Sequence, residues 1–592
     1  MRHGFIPVAA GTPDLRAGDC VFNAQSILAA QSMAAKNGTA ILLLPELCIT
    51  GGDCGDLFKQ YDLLDMAVGA LVELAESTGD LLTFVGLPLP FDGRLYNCTA
   101  AIKDGLIIGI VPDVKGVERT ILTIEGVNVP FGSDLLFVCA DIPALTIGAA
   151  FSHTDTRRLA EMGATLIVYP SDKPSFAGEY VKRREIYALE SEIYHTAALH
   201  VGNGIVIENG VVLAEARRFE PSLAVSEMDV ELIDSARRGQ VGGAGALGTK
   251  PASPVATPPP ERGYGSAMCN AHLVPFALPE REVELTRAID PLPFVLEDLD
   301  EVFLMTARAL ANRLRHTGVK YLVLGLSGGL DSTLAALTAR NALALLEREP
   351  SDVLVVLMPG FATGSRTSAN AQELADRLGF TTREIDIRRA VTAHLEDIKH
   401  GGEKDVTFEN AQARERTKIL LDLANQENGI VIGTGDMSEI ALGFCTYGGD
   451  HLSHFGVNAD IPKTLARALV RHAAYKSDDA EVTALLLDIV DTPVSPELLP
   501  GKPQLTEEIL GAYELNDFFL YHTLRYGFSR DKIIMLAERA FGGKYKDVPG
   551  ALGNFRKRFS SSQFKRACSP DIARVNRVSV AGFNMPAENR WG

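Results

Sequence analysis

Two short stretches of the chain hold residue types whose spacing could do chemistry. The first is Ser327-Gly328-Gly329-Leu330-Asp331-Ser332-Thr333. Its glycines allow close backbone approach, and its hydroxyls can donate hydrogen bonds to an oxyanion. A helix following this turn would point its positive end into it, so that the whole suits a bound phosphate. Asp331 would repel that phosphate unless a divalent cation stood between them, and the pattern therefore implies Mg²⁺. An ordinary polar-capped turn is the bland alternative. The second stretch is LTIGAAFSHT, residues 145 to 154, in which Ser152 and His153 close an apolar run. Serine beside histidine suggests a nucleophile and its base. A side chain adjacent in sequence seldom turns back onto its neighbour's oxygen, however, and working triads bring the base from elsewhere.

The elements that must position the first stretch are legible. VLEDLDEVFLMTARALANRLRHTG has helical period and ends in glycine, VKYLVLGL reads as a buried strand, and STLAALTARNALALLE as the helix after the turn. DVLVVLMPG, TSANAQELADRLG and TTREIDI continue as strand, helix and strand. This alternation predicts a doubly wound parallel α/β sheet, which binds ligands beyond the C-terminal ends of its strands. Upstream, AILLLPEL, LLTFVGLPL and ATLIVYP read as strands separated by helix-length segments. Asp104-Gly105 and Asn209-Gly210 mark antiparallel hairpins, so the sheets there are mixed. Between residues 238 and 265 the chain becomes RGQVGGAGALGTKPASPVATPPPERGYG and loses all periodicity. The expected division is one domain over 1–237, a linker over 238–284 and a second domain over 285–592.

Composition agrees with two domains, since 592 residues exceed what one core usually serves. The 57 Lys and Arg against 75 Asp and Glu give a net charge of −18, which disfavours nucleic acid or anionic membrane as a partner of a general basic surface. No apolar run approaches the roughly 20 residues of a membrane span, and MRHGFIPVAAGTPD lacks the form of a secretory signal, so a cytoplasmic protein is expected. The 8 cysteines are scattered without a CxxC pair and read as reduced, structural thiols.

SGGLDST resembles the pyrophosphate signature of the ATP pyrophosphatase (adenine nucleotide alpha hydrolase-like) enzymes, which cleave ATP between its α and β phosphates, and lacks the lysine of a Walker loop. The stretches VLMPGFATGSRTSANA, DVTFENAQARERTKILLDLAN, VIGTGDMSEIALGFCTYGGDH, FGVNADIPKTLARALVR, DTPVSPELLP and FKRACSPD are similar to the synthetase domain of NAD⁺ synthetases, over about 285 to 575. The resemblance implies adenylation of nicotinic acid adenine dinucleotide on its nicotinate carboxylate, followed by displacement of AMP by ammonia. A carboxylate is a poor acyl donor until AMP becomes its leaving group, and Mg²⁺ neutralises the departing pyrophosphate. It assigns Ser327, Gly328, Gly329, Asp331, Ser332, Met358, Thr434 and Lys463 to ATP, with Asp331, Thr434 and Lys463 in the chemistry. Asp331 and Glu439 are assigned to the metal, and Asn410, Arg414 and Lys565 to the dinucleotide. Asn410 and Arg414 lie four apart, on one helical face. Taken singly, Arg414 would also fit a solvated helix charge, Glu439 a local cap, and Lys565 a basic surface with Arg556, Lys557 and Arg558.

The first half is similar to the nitrilase-like glutaminase domain that supplies ammonia in such synthetases, which implies an α/β/β/α sandwich. The match rests on MRHGFIPVAAGTPDLRAGDCVFNA, LPELCITGGDCGDLF, RLYNCTAAIKDGLIIGIVP and VIENGVVLAEARRFE. That family needs a glutamate base, an oxyanion-stabilising lysine and a cysteine nucleophile. Glu46 stands in the expected Leu-Pro-Glu-Leu turn, but Asp113 takes the lysine's place, with Lys115 two residues on, and Ser152 takes the cysteine's. A serine hydroxyl is far less acidic than a thiol, so surroundings arranged for a thiolate would not ionise it. GVERTILTIEG replaces an aromatic, charged segment, and a glycine-rich excursion is cut to GNG at 202 to 204. The expectation is a retired amidase, with ammonia as nitrogen donor. The alternatives are a serine or displaced-cysteine amidase using Ser152 or Cys139, and a binding module for a partner glutaminase. The family also implies a homo-oligomer.

Overall fold

The computed structural model describes residues 2–117, 120–171, 179–201, 204–218, 220–241, 272–493, 506–583, 585–589 and 591. The chain divides into two compact units, Met1–Ala288 and Ile289–Gly592. Among the described residues no helix is long and apolar enough to cross a membrane.

The first unit is a helix–sheet–sheet–helix sandwich. Its eight-stranded sheet runs Ser222–Asp229, Phe5–Thr12, Ile41–Leu43, Leu82–Phe91, Arg94–Lys103, Leu106–Pro112, Val127–Phe131, Thr120–Ile124. Its seven-stranded sheet runs Val211–Glu215, Ile205–Glu208, Ala197–His200, Leu166–Tyr169, Thr146–Ala149, Leu135–Cys139, His272–Phe276. Alternate side chains of both sheets, among them Val8, Leu43, Phe84, Phe137, Ile147 and Val168, fill the layer between them. The opposite faces are covered by helices Cys20–Lys36 and Tyr61–Ser77 on one side and by Thr156–Glu161 and Glu179–Tyr194 on the other. The expected hairpins close through left-handed pairs, Asp104 (φ 49°) with Gly105 (φ 79°) and Asn209 (φ 45°) with Gly210 (φ 92°).

Part of the expected linker is structured. His272–Phe276 is an edge strand of the seven-stranded sheet, parallel to Leu135–Cys139, and Arg281 pairs with Asp80; beyond the expected linker, the half-buried Arg287, expected to open the second domain, belongs to the first unit and meets Glu208 at 2.9 Å. Pro275 conceals this strand in the sequence, and an edge is where a strand tolerates a residue without an N–H. Residues 242–271 of the expected linker, Gly202 and Asn203 of the GNG segment, and 494–505 lie outside the described residues.

The second unit is built on five parallel strands in the spatial order Thr381–Glu384, Val353–Leu357, Tyr321–Gly325, Gly429–Gly433, Phe455–Gly456. In chain order that is 3-2-1-4-5, so the direction of winding reverses between Tyr321–Gly325 and Gly429–Gly433. The crevice beyond such a reversal is where open α/β sheets bind ligands. Helix Leu299–Thr317 leads in, started by the Asp298 carboxylate accepting from Glu301 N–H and ended by Gly318 at φ 67°.

Candidate active site

Ser327 to Thr333 leaves the first of these strands and enters helix Leu330–Ala344. Gly328 sits at φ 81°, and a Cβ there would lie 2.1 Å from the Thr367 carbonyl oxygen, so only glycine fits. Ser327 Oγ and Ser332 Oγ are hydrogen bonded at 3.0 Å, and Gly329 N–H donates to Ser327 Oγ at 3.2 Å. The turn thus points an amide, hydroxyls and a helix N-terminus to one place. Thr434, at the end of the neighbouring strand, is tied to it by the buried Asn458, whose amide donates to the carbonyl oxygens of Asp331 at 2.7 Å and Thr434 at 3.0 Å. Met358 lies at the end of the adjacent strand Val353–Leu357, its carbonyl accepting from Arg416 Nε at 3.3 Å.

Behind the loop, Lys463 is fully buried and its ammonium meets Asp331 at 2.7 Å, Asp436 at 2.8 Å and Glu439 at 3.0 Å. Burial opposes its charge, but the carboxylates outweigh it and hold the lysine protonated well above its ordinary range. Burial, with Glu439 and Asp331 close by, pushes Asp436 well above the usual carboxylate range in spite of the lysine. Glu439 is pushed up to about 7, first by burial and then by Asp331, against the pull of Lys463. The site therefore gathers three carboxyl groups around one ammonium. Oxygens of Asp331, Asp436 and Glu439 lie within 4.8 Å of one another, a donor set of hard oxygens that fits Mg²⁺.

The main chain of Lys463 is fixed. Its N–H donates to Ser438 Oγ at 2.9 Å, and Asp517 accepts from Thr464 N–H at 2.9 Å and Thr464 Oγ1 at 2.8 Å, an acid at the start of helix Lys463–Lys476.

Asn410, Arg414 and Lys565 converge on one loop, the segment after helix Met437–Leu442. Thr446 Oγ1 donates to Asn410 Oδ1 at 2.9 Å, Arg414 Nε donates to the Tyr447 carbonyl at 3.2 Å, and Lys565 Nζ donates to the carbonyls of Gly443 and Cys445 at 2.8 and 2.7 Å. Lys565 is thus more than a solvated surface, whereas Arg414 stays exposed on its helix. Asp436, Asn458, Ser438 and Asp517 escape the sequence reading. Asp436-Met437-Ser438-Glu439 reads as a helix start, and Asp436 does cap, accepting from Glu439 N–H at 2.8 Å.

In the first unit Glu46 follows strand Ile41–Leu43 and accepts from Asn97 Nδ2 at 2.6 Å and Ser171 Oγ at 3.0 Å. Ser152 and Ser171 leave the C-terminal ends of neighbouring parallel strands. Asp113 is exposed, whereas Lys115 reaches Thr154 Oγ1 at 2.8 Å and Asp155 at 3.1 Å. Ser152 caps the turn His153–Asp155, its Oγ 3.1 Å from Thr154 Oγ1. His153 turns away to Glu190 at 2.9 Å and stacks on Tyr187 with ring centroids 4.6 Å apart. Cys139 is buried in the layer between the sheets, where burial pushes its thiol up, and Cys48 is pushed to about 12 for the same reason.

A family model described as NAD synthase matches residues 303–537, and one described as carbon-nitrogen hydrolase matches residues 8–238. The glutamine-dependent NAD(+) synthetase of Mycobacterium bovis is 34% identical, with 97% of this chain and 94% of the relative covered. That of Mycobacterium leprae is 34% identical with the same coverage, and that of Thermotoga maritima is 28% identical over 93% of this chain and 96% of its own. A nitrilase-like sandwich followed by a parallel sheet with SGGLDST at its winding reversal, matched along nearly its whole length, makes this chain a member of the two-domain NAD⁺ synthetases, a family of ligases.

Proposed function

We propose that the chain makes NAD⁺ from nicotinic acid adenine dinucleotide, ATP and free ammonia. The nicotinate carboxylate attacks the α phosphorus of ATP and pyrophosphate leaves. Ammonia then attacks the carbonyl of the resulting NAD-adenylate, loses a proton, and AMP leaves. The Ser327–Ser332 turn, with Thr434 and Met358, would take the ATP, and Asp331, Glu439 and Asp436 would hold Mg²⁺. When bound there, Mg²⁺ would offset the charge of the departing pyrophosphate. Lys463 would serve the phosphates, while Asn410, Arg414 and Lys565 would shape the dinucleotide side.

The observation that carries the ammonia reading is Ser152. It stands where a thiolate is needed, its hydroxyl is engaged with Thr154, and the adjacent imidazole is engaged with Glu190. The buried Cys139 offers no replacement, being enclosed in the core and less acidic than an ordinary thiol. A second reading, glutamine dependence through Ser152, is favoured by Lys115 beside Thr154 and by the glutamine dependence in the names of the relatives.

AMP formation with dinucleotide, ATP and Mg²⁺ separates the two. The ammonia reading expects a rate with ammonium that climbs with pH as NH₃ forms, and none with glutamine. Glutamine-driven turnover that is lost in Ser152→Ala, but retained with ammonium, would establish the second reading instead.

A further inference from the structure

The deepest part of the second unit's site gathers Asp331, Asp436 and Glu439 around a single ammonium. Lys463 Nζ stands between them at 2.7, 2.8 and 3.0 Å, so it fills the space that their oxygens enclose. Asp436 is completely buried and fixed as a helix cap. Lys463 cannot leave through its backbone, since Ser438 holds its N–H and Asp517 holds that of Thr464, but its four-carbon stem can rotate. Mg²⁺ draws its oxygen ligands in to about 2.0–2.1 Å. An Mg²⁺ using these oxygens and an ammonium ion-paired with all of them need the same space, and two positive charges do not share it.

Resting on the reading that Asp331 and Glu439 hold the metal of the ATP complex, we propose that Lys463 is a resident counter-ion that yields its place to the metal when nucleotide arrives. Without nucleotide the ammonium keeps the carboxylates together and excludes divalent ions. Nucleotide phosphates give the ammonium another partner at the neighbouring Ser327–Ser332 turn, and the metal takes the carboxylates. One set of ion pairs replaces another, so that no step leaves a buried charge alone. Metal entry and nucleotide entry are thereby coupled, and an unloaded enzyme does not collect divalent ions.

The test uses the full chain and Mn²⁺ alone, with free Mn²⁺ followed by electron paramagnetic resonance. Lys463→Met removes the ammonium and keeps the volume. It is expected to bind nucleotide-free Mn²⁺ at least about tenfold more tightly than the wild type, a modest coupling for two linked sites. Mn²⁺ should also raise the unfolding temperature of Lys463→Met and leave that of the wild type unchanged. Lys463→Gln provides the same comparison if the methionine variant does not fold, and adding Glu439→Gln should abolish the gain in either. Equal Mn²⁺ affinity in wild type and both variants overturns the exchange alone. Absence of a protein-bound Mn²⁺ signal in wild type and variants, with ATP present as well as without it, overturns the metal reading beneath it.

Discussion

Asn458→Ala probes how the winding reversal holds the ATP loop in register. Asn458 is fully buried, and its amide spans the reversal, joining the Asp331 carbonyl at 2.7 Å to the Thr434 carbonyl at 3.0 Å. Alanine would leave both carbonyls without this donor. Each of the two hydrogen bonds is lost at about 1–2 kcal/mol once its acceptor is left without a donor, so the pair costs about 2–4 kcal/mol. If that cost falls on bringing the loop to its reactive arrangement, kcat/KM for ATP drops by about 30- to 1000-fold. Pyrophosphate release at saturating dinucleotide and ammonium, with ATP varied, measures it, and circular dichroism verifies that the variant is folded. Because the side chain touches only the ATP side of the site, KM for ammonium should stay unchanged. A folded Asn458→Ala that keeps kcat/KM for ATP within about threefold of wild type would refute the reasoning.

Gly328→Ala places a Cβ 2.1 Å from the Thr367 carbonyl oxygen at φ 81°, so it should cost more than the roughly 1–2 kcal/mol of left-handed strain and abolish measurable ATP-dependent turnover. His522 is buried, and its pKa is pushed down to about 3 by burial and secondarily by Lys532. Its folded pKa lies below the unfolded value near 6.5, so stability is whole above that value and is lost as pH falls. Urea unfolding of the wild type should lose about 2 kcal/mol from this group between pH 7.5 and 5, and His522→Phe should lose that much less. Arg287→Met leaves Glu208 buried without its 2.9 Å partner, with an expected loss of roughly 3–5 kcal/mol in the first unit's unfolding. Calorimetric transitions of wild type and variant provide the comparison.

How far the sequence reveals this molecule depends on whether the information is local. The strand, turn and helix at SGGLDST, the glycine that ends Leu299–Thr317 and the two hairpin turns are all local and all present as expected. Strand order is not local: nothing in TTREIDI or VIGTG says which strand lies beside Tyr321–Gly325. Asp436 stays hidden because a capping aspartate and a charge-pairing aspartate look alike until the second oxygen is seen against Lys463. Asn458 lies 127 residues from Asp331 and its amide donates to main-chain carbonyls, so no motif points to it. In HLVPF, a proline that belongs on an edge reads as coil.

The two sites also differ in what their backbones still bear. In the second unit the left-handed Gly328 turn, closed against the Thr367 carbonyl, and the crowded acids around Lys463 are arrangements that packing alone gives no reason to keep, and such costs concentrate where a ligand repays them. In the first unit a strained backbone lies on the glutamate side. Leu47 sits at φ 54°, unusual for a bulky residue, and a Cβ on Gly86 would lie 2.3 Å from its nitrogen. That contact belongs to the sheet core, since Cys48 and Gly86 bond each other in the same place. On the nucleophile side the polar groups have found one another: Lys115 with Asp155, Ser152 with Thr154, and His153 with Glu190. A working nucleophile needs its neighbours aimed at the substrate. Here they are aimed at each other, as the proposal of a retired amidase expects, while Glu46 stands beside the part of the site that is built into the sheet core.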